Sequence, residues 1–196
     1  MRRRELLKAT PLLTTPALAR ADTLPLRFIP NANLSSLDLI WTTALVAQAH
    51  GYLVCDTLYG IDAAGGSRPQ MCSGHDVSPD GLTWTFTLRD GLAFHDGEKV
   101  LARDCVMSMW RWGSRDSFGQ KMTAATNEIA ALDDRRFQVR LKKPFRQMLY
   151  GLGARQCFMM PERMAKTPSS EQVKEMIGSG PFRFLPGEWI SGARAA

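Results

Sequence analysis

Residues 82–112 read LTWTFTLRDGLAFHDGEKVLARDCVMSMWRW, and two different periodicities lie inside that one stretch. Leu82, Trp84, Phe86 and Leu88 alternate with Thr83, Thr85, Thr87 and Arg89. A period of two in β-branched and aromatic residues predicts a strand over 82–89 with one buried face carrying Trp84, Phe86 and Leu88. Asp90-Gly91 turns the chain, Leu92-Ala93-Phe94 reads as a short strand, and Asp96-Gly97 is a tight turn before Val100. Beyond it, Ala102, Cys105, Val106, Met109 and Trp110 recur at i, i+3, i+4, i+7 and i+8. That is one apolar stripe of a helix over 102–112, opposed by Arg103, Asp104, Ser108 and Arg111. A half-buried strand followed by an amphipathic helix that can cover it argues for a mixed α and β architecture.

Working outward, Phe137, Val139 and Leu141 alternate with Gln138, Arg140 and Lys142, a second half-buried strand after an Asp133-Asp134 turn. Pro144-Phe145 ends it; short helices are expected at 146–152 and 161–166, and a last one at 170–177. Gly178-Ser179-Gly180-Pro181 stops that helix, and Phe182 opens a new strand. Towards the N-terminus, Pro79-Asp80-Gly81 is a turn. Leu45, Ala49, Tyr52 and Leu53 recur at helical spacing, which predicts a helix over 43–59 ended by Gly60. The loop Asp62 to Ser67 is the candidate boundary between two subdomains. Residues 24–29 alternate as a strand closed by Pro30-Asn31-Ala32-Asn33.

The 196 residues, 44% hydrophobic and 22% charged, have ordinary globular composition, which excludes collagen-like and wholly disordered chains. A chain of this length buries enough surface to need no disulfide or metal staple. No run of 18 uncharged apolar residues is present. The net charge of +6 is local: residues 1–21 hold five of the 25 basic and one of the 19 acidic side chains, leaving +2 for the rest. With no basic stripe interleaved with aromatics, nucleic acid is not an expected partner. Those 21 residues, MRRRELLKATPLLTTPALARA, have the charged start, apolar middle and small-residue end of a secretory signal, with cleavage expected near Ala19 or Ala21. Arg3-Arg4-Glu5-Leu6-Leu7-Lys8 is similar to a twin-arginine export signal.

The chemistry-bearing residues form no reaction centre. Cys55, Cys72, Cys105 and Cys157 are widely spaced without a C-x-x-C, and all three pairings stay open. His75-Asp76 and His95-Asp96 lack a third ligand at motif spacing, so no metal is expected. The glycines of 178–181 lack the lysine and following helix of a phosphate loop, and Ser73-Gly74-His75 is not a nucleophile elbow. No catalytic residue and no cofactor is expected.

Trp84-Thr-Phe86-Thr-Leu88-Arg89-Asp90-Gly91, then Phe94-His95-Asp96-Gly97, then Ala102-Arg-Asp104-Cys-Val106 resembles the central signature of the family 5 extracellular solute-binding proteins. Those proteins are peptide- and oligopeptide-binding components of ABC importers. Leu37-Asp38, Cys55-Asp56-Thr57-Leu58 and Gly178-Ser179-Gly180-Pro181-Phe182 are similar to its flanking motifs, in the same order. Leu101 stands where the family has Thr, Cys55 and Cys105 stand where it has an aromatic residue and Val, and Ser179 replaces Thr.

The resemblance implies an α/β (mixed α+β) fold like the type II periplasmic binding proteins, namely a first lobe with an inserted smaller subdomain and a second lobe missing. Residues 22–66 and 178–196 would belong to the first lobe and 67–177 to the subdomain, the chain being an N-terminal portion. It further implies a periplasmic protein, monomeric at full length, that captures a peptide or small solute and docks on ABC permease subunits. The central signature is scaffold. Candidate ligand contacts are therefore the loop after the first strand, Asn31, Asn33 and Ser35, and the turn Gly180, Pro181 and Phe182, since loops at strand ends face clefts in such architectures. A secreted interaction module and an exported hydrolase remain as alternatives.

Overall fold

A computed structural model describes residues 28–191. The expected export signal and all but the last two residues of the expected 24–29 strand lie outside that range. The elements in chain order are α1 (Leu45–Val54), β1 (Tyr59–Ile61), β2 (Ser67–Pro69), β3 (Cys72–Val77), β4 (Thr83–Leu88), α2 (Ala102–Arg115), α3 (Ser117–Ala125), β5 (Thr126–Ala131), β6 (Arg136–Leu141), α4 (Met148–Ala154) and α5 (Glu162–Ala165). A short 3₁₀ turn at Pro186–Glu188 follows. Strands β3 to β6 form one antiparallel sheet in the order β3-β4-β6-β5, and β1 and β2 form a separate hairpin.

The alternation in β4 has the expected register. Phe86 and Leu88 are fully buried, Phe86 pairs with Phe137 on β6, and the two rings stack at 5.1 Å. Trp84 faces the same way but is only partly buried, capped by the stacked ring of His75 at 5.4 Å. Helix α2 packs on β5 and β6, burying Ala102, Cys105, Val106 and Met109. It runs three residues past the expected end, and Trp112 rather than Trp110 is the fully enclosed indole. All four cysteines are buried free thiols, and burial pushes Cys55 and Cys72 up to about 12.

Several expected elements are absent, each for a local reason. Helix α1 stops at Val54, since Cys55 is already extended. Asp56 accepts a bond from the Gln70 amide at 2.6 Å and Thr57 Oγ1 bonds to Gln70 at 2.8 Å, which draws the chain into β1. Gly60 therefore lies inside a strand rather than ending a helix. The 62–67 loop is the turn of the β1–β2 hairpin, held by Asp62, which accepts from the Gly66 and Ala64 amides. Residues 92–94 form no strand, only an isolated Ala93–Lys99 bridge. Strands β3 and β5 and helix α3 carry no clear alternation or stripe. The corner into α3 is made by Asp116, whose carboxylate accepts from the Phe118 and Gly119 amides, both at 2.8 Å.

The polar face of α2 is the largest departure from expectation. Asp104, Ser108 and Arg111 were expected to face water, and all three are buried. Asp104 accepts from the Leu101 amide at 2.7 Å, the acidic half of a capping box whose hydroxyl half is missing at Leu101, and its other oxygen accepts from the Glu162 amide at the start of α5. Ser108 exchanges two hydrogen bonds with the backbone of Met160. Arg111 reaches Asp38 at 2.5 Å, both side chains essentially without exposure. Its guanidinium also donates to the carbonyls of Thr167, Pro168 and Glu171, while Asp38 accepts from the Val173 amide at 2.9 Å. Within the expected 170–177 helix these bonds engage the Glu171 carbonyl and the Val173 amide, and that segment is irregular instead. Nor does Phe182 open a strand. The Gly180 and Phe182 amides donate to the carbonyls of Val54 and Leu53, satisfying the otherwise free C-terminal end of α1.

Two substitutions test this packing by urea denaturation. Phe86→Ala costs about 3–5 kcal/mol, and Trp84→Ala clearly less because its indole already meets solvent; equal losses would mean that the β4 face is misassigned. Asp38→Ala strands the Arg111 charge and costs about 3–5 kcal/mol, whereas a loss under about 1 kcal/mol would show that residues 36–40 are not docked on α2.

Candidate functional site

Helix α1 is the mount for both groups of candidate residues. Leu34 packs with Val46 and Ala47 on its first two turns, so the loop around it is fixed by one apolar anchor. Asn31, Asn33 and Ser35 flank that anchor and are exposed. Ser36 points inward, where its hydroxyl bonds to Gln172 at 2.8 Å. Two residues later Asp38 enters the buried pair with Arg111, so the loop ends in the most constrained contact of the fold.

The second group sits at the other end of α1. A Cβ on Gly178 would overlap the Val54 carbonyl, and one on Gly180 would fall within 2.9 Å of the backbone of Leu53, Val54 and Cys55. Both glycines are thus required by the close approach of two backbones, and Gly180 acts as a spacer that presents its neighbours. Pro181 and Phe182 project from it, Phe182 with 46% of its surface exposed. The two groups are therefore anchored at opposite ends of one helix rather than through each other.

Beneath the glycines, His95 donates its backbone N–H to Gly178 and bonds through Nε2 to the Gly180 carbonyl at 2.8 Å. A carbonyl can only accept, so Nε2 carries the proton there. Arg183 in turn donates to the His95 carbonyl. Burial pushes the Asp56 carboxyl above the usual carboxylate range, while Ser179, Arg89 and His95 act in the opposite direction. His75, the other histidine of a His-Asp pair, is held by the Tyr59 hydroxyl at 2.7 Å. Asp133 serves its turn, accepting from the Arg135 and Arg136 amides. Among the described residues no three His, Cys, Asp or Glu side chains converge as metal ligands would.

Arg111 and Asp104 are the residues that sequence reasoning misplaced. The available signal was Arg111 between Trp110 and Trp112, a charge set in a bulky apolar run, where a solvated face is expected to be uniformly polar.

Comparison with known proteins bears on the whole arrangement. Residues 67–189 match the profile described as bacterial extracellular solute-binding proteins, family 5 Middle. The chain is 40% identical over 190 residues to the probable peptide ABC transporter periplasmic-binding protein y4tO of Sinorhizobium fredii, covering 93% of this chain and 36% of that one. Among solved structures it superposes on the periplasmic binding protein AgaA of A. tumefaciens R10, in complex with agropinic acid. The TM-score is 0.72 and the identity 23%, over 84% of this chain and 33% of that one. It also superposes on DppA of Helicobacter pylori, in complex with the peptide STSA, with a TM-score of 0.65 and 26% identity, over 79% and 35%. The chain thus spans about a third of the length of the proteins that it matches. The fold is that of part of a type II periplasmic binding protein. With more than half of its residues inside the family profile, the chain belongs to the bacterial extracellular solute-binding proteins of family 5.

Proposed function

We propose that this chain forms part of the ligand-capturing lobe of a periplasmic binding protein serving an ABC importer. It takes up peptides or similar small solutes and catalyses no reaction. The observation that carries the reading is the mounting of two exposed groups on α1: Asn31, Asn33 and Ser35 at one end, and Pro181 and Phe182, spaced by Gly180, at the other. Amide and hydroxyl side chains at one end of the helix, and a proline and a phenylalanine at the other, offer hydrogen bonds and apolar contact to a solute. Rigid support beneath exposed contacts is what ligand capture requires, since little ordering remains to be done on binding. The nearest alternative chemistry, hydrolysis assisted by His95, is disfavoured because its Nε2 is engaged by the Gly180 carbonyl.

In this reading residues 22–66 and 178–196 belong to the first lobe, and 67–177 form the subdomain attached to it. The segment 1–21 directs export, with cleavage near Ala19 or Ala21, and the protein acts as a monomer at the membrane permease. Capture is completed by closure of a second lobe, which expels water from the solute. An open single face leaves its solute hydrated, so this chain alone binds at about the millimolar level, worth roughly 4 kcal/mol.

Titration of the ¹⁵N-labelled chain with a pool of di- to pentapeptides tests this. Amide shifts centred on Asn31, Asn33, Ser35 and Phe182, saturating only in the millimolar range, are expected. A spectrum that does not move sinks solute capture, and a micromolar one-to-one isotherm sinks the requirement for enclosure.

A further inference from the structure

Three segments far apart in sequence converge around Arg155. Tyr52 comes from α1, Phe118 from α3, Tyr150 from α4, and Arg155 follows directly after α4. The guanidinium carbon lies 5.7 Å from the centre of the Phe118 ring, and the Phe118 and Tyr150 rings are 6.1 Å apart. The Tyr52 ring is braced edge-on against Phe158 at 4.8 Å, and its hydroxyl lies near the Gln156 backbone, within reach of the Arg155 charge. Tyr52 and Tyr150 keep 45% and 43% of their surface exposed, so the cluster is open on one side.

The backbone is arranged to hold this cluster in place. Gly151 has no Cβ where the Phe118 ring packs, and the Trp112 indole donates to the Arg155 carbonyl at 2.8 Å. Gln156 adopts φ +59°, the one left-handed non-glycine among the described residues. Such conformations concentrate at ligand sites, where surrounding packing enforces them.

A counter-charge for Arg155 is what the cluster lacks. Among the described residues Arg155 forms no ion pair, and its Nε is shielded from solvent without a hydrogen-bond partner. Arg111, whose Nε is likewise buried without a partner, has its two terminal nitrogens engaged by one carboxylate and three carbonyls, whereas no hydrogen bond to the Arg155 guanidinium is found among the described residues. A half-buried planar cation with no counter-ion, walled by aromatic rings, fits a planar anion. Arg155 is the one cation that lies over the Phe118 ring among the described residues, and a single positive charge balances a monoanion rather than a phosphate dianion. The rings, in turn, accept an apolar or aromatic body next to the anion.

We infer that Arg155, walled by Tyr52, Phe118 and Tyr150, is a carboxylate-binding subsite for a small monoanionic solute with an apolar body. This rests on the solute-capture reading above and adds to it a ligand class and a contact that the two loop groups do not supply.

The test compares N-acetylphenylalanine with N-acetylphenylalanine amide on the ¹⁵N-labelled chain, following the Arg155 Nε–H resonance and the backbone amides. The acid shifts the Arg155 resonance and binds at least about tenfold more tightly than the amide. Arg155→Gln abolishes that preference, and Arg155→Lys, which keeps the charge but loses the planar fork, retains part of it. Equal binding of acid and amide overturns the subsite, as does an undiminished preference in Arg155→Gln. If Arg155→Gln does not fold, the acid–amide comparison on the unaltered chain decides alone. Shifts confined to Asn31, Asn33, Ser35 and Phe182 overturn the subsite but leave solute capture standing, whereas no shift anywhere overturns both.

Discussion

Asp38 and Arg111 lie 73 positions apart in the sequence and meet at 2.5 Å with side chains 0% and 1% exposed. Taking two charges out of water is expensive, and their attraction offsets that cost only when the remaining hydrogen-bonding capacity is also filled. Here it largely is. The carboxylate accepts from the Ile40 and Val173 amides, and the guanidinium donates to three carbonyls between Thr167 and Glu171. One pair thereby fixes the N-terminal segment, helix α2 and the irregular stretch before Gly178 in a single arrangement.

The consequences run through to the exposed residues. Because residues 36–40 are tied to α2, the loop that presents Asn31, Asn33 and Ser35 has a fixed end as well as its Leu34 anchor. Because the stretch after Glu171 is irregular and pinned, Gly178 and Gly180 can be laid against the end of α1, where their amide and carbonyl groups pair with Val54 and His95. Most of the recognisable family signature is therefore support. Its aspartates and glycines make turns and caps, and the side chains that meet solvent next to them are the ones available to a ligand.

Arg111 and Arg155 also illustrate how one residue type takes two roles in one protein. The first is enclosed and surrounded by oxygen atoms, which makes it a structural tie. The second is half-open, lined with rings and without an anion among the described residues, which leaves its charge for something that arrives from outside. Composition treats the two alike; the difference lies entirely in what the other segments bring to them.

Strand β4, most of helix α2 and strand β6 were legible because their side chains repeat with the period of the element, and a repeat is a local property. The turns at Asp90-Gly91 and Asp96-Gly97 were legible for the same reason, since Gly91 and Gly97 take the positive φ that such turns demand. The family itself could be read from that stretch. What the sequence could not disclose were outcomes of competition between distant groups. In the expected helix over 170–177 the Glu171 carbonyl is taken by Arg111 and the Val173 amide by Asp38, and the segment is irregular. The expected strand at Phe182 lost its amides to the free carbonyls of α1. The polar stripe of α2 had the pattern of a solvated face, and only the arrival of Asp38, Met160 and Glu162 from elsewhere buried it. The ring of Tyr52, Phe118 and Tyr150 around Arg155 has no spacing to detect, because three-dimensional proximity alone creates it. Local periodicity settles which segments can pair and pack, while long-range hydrogen bonds and charge burial settle which of the competing local structures survives.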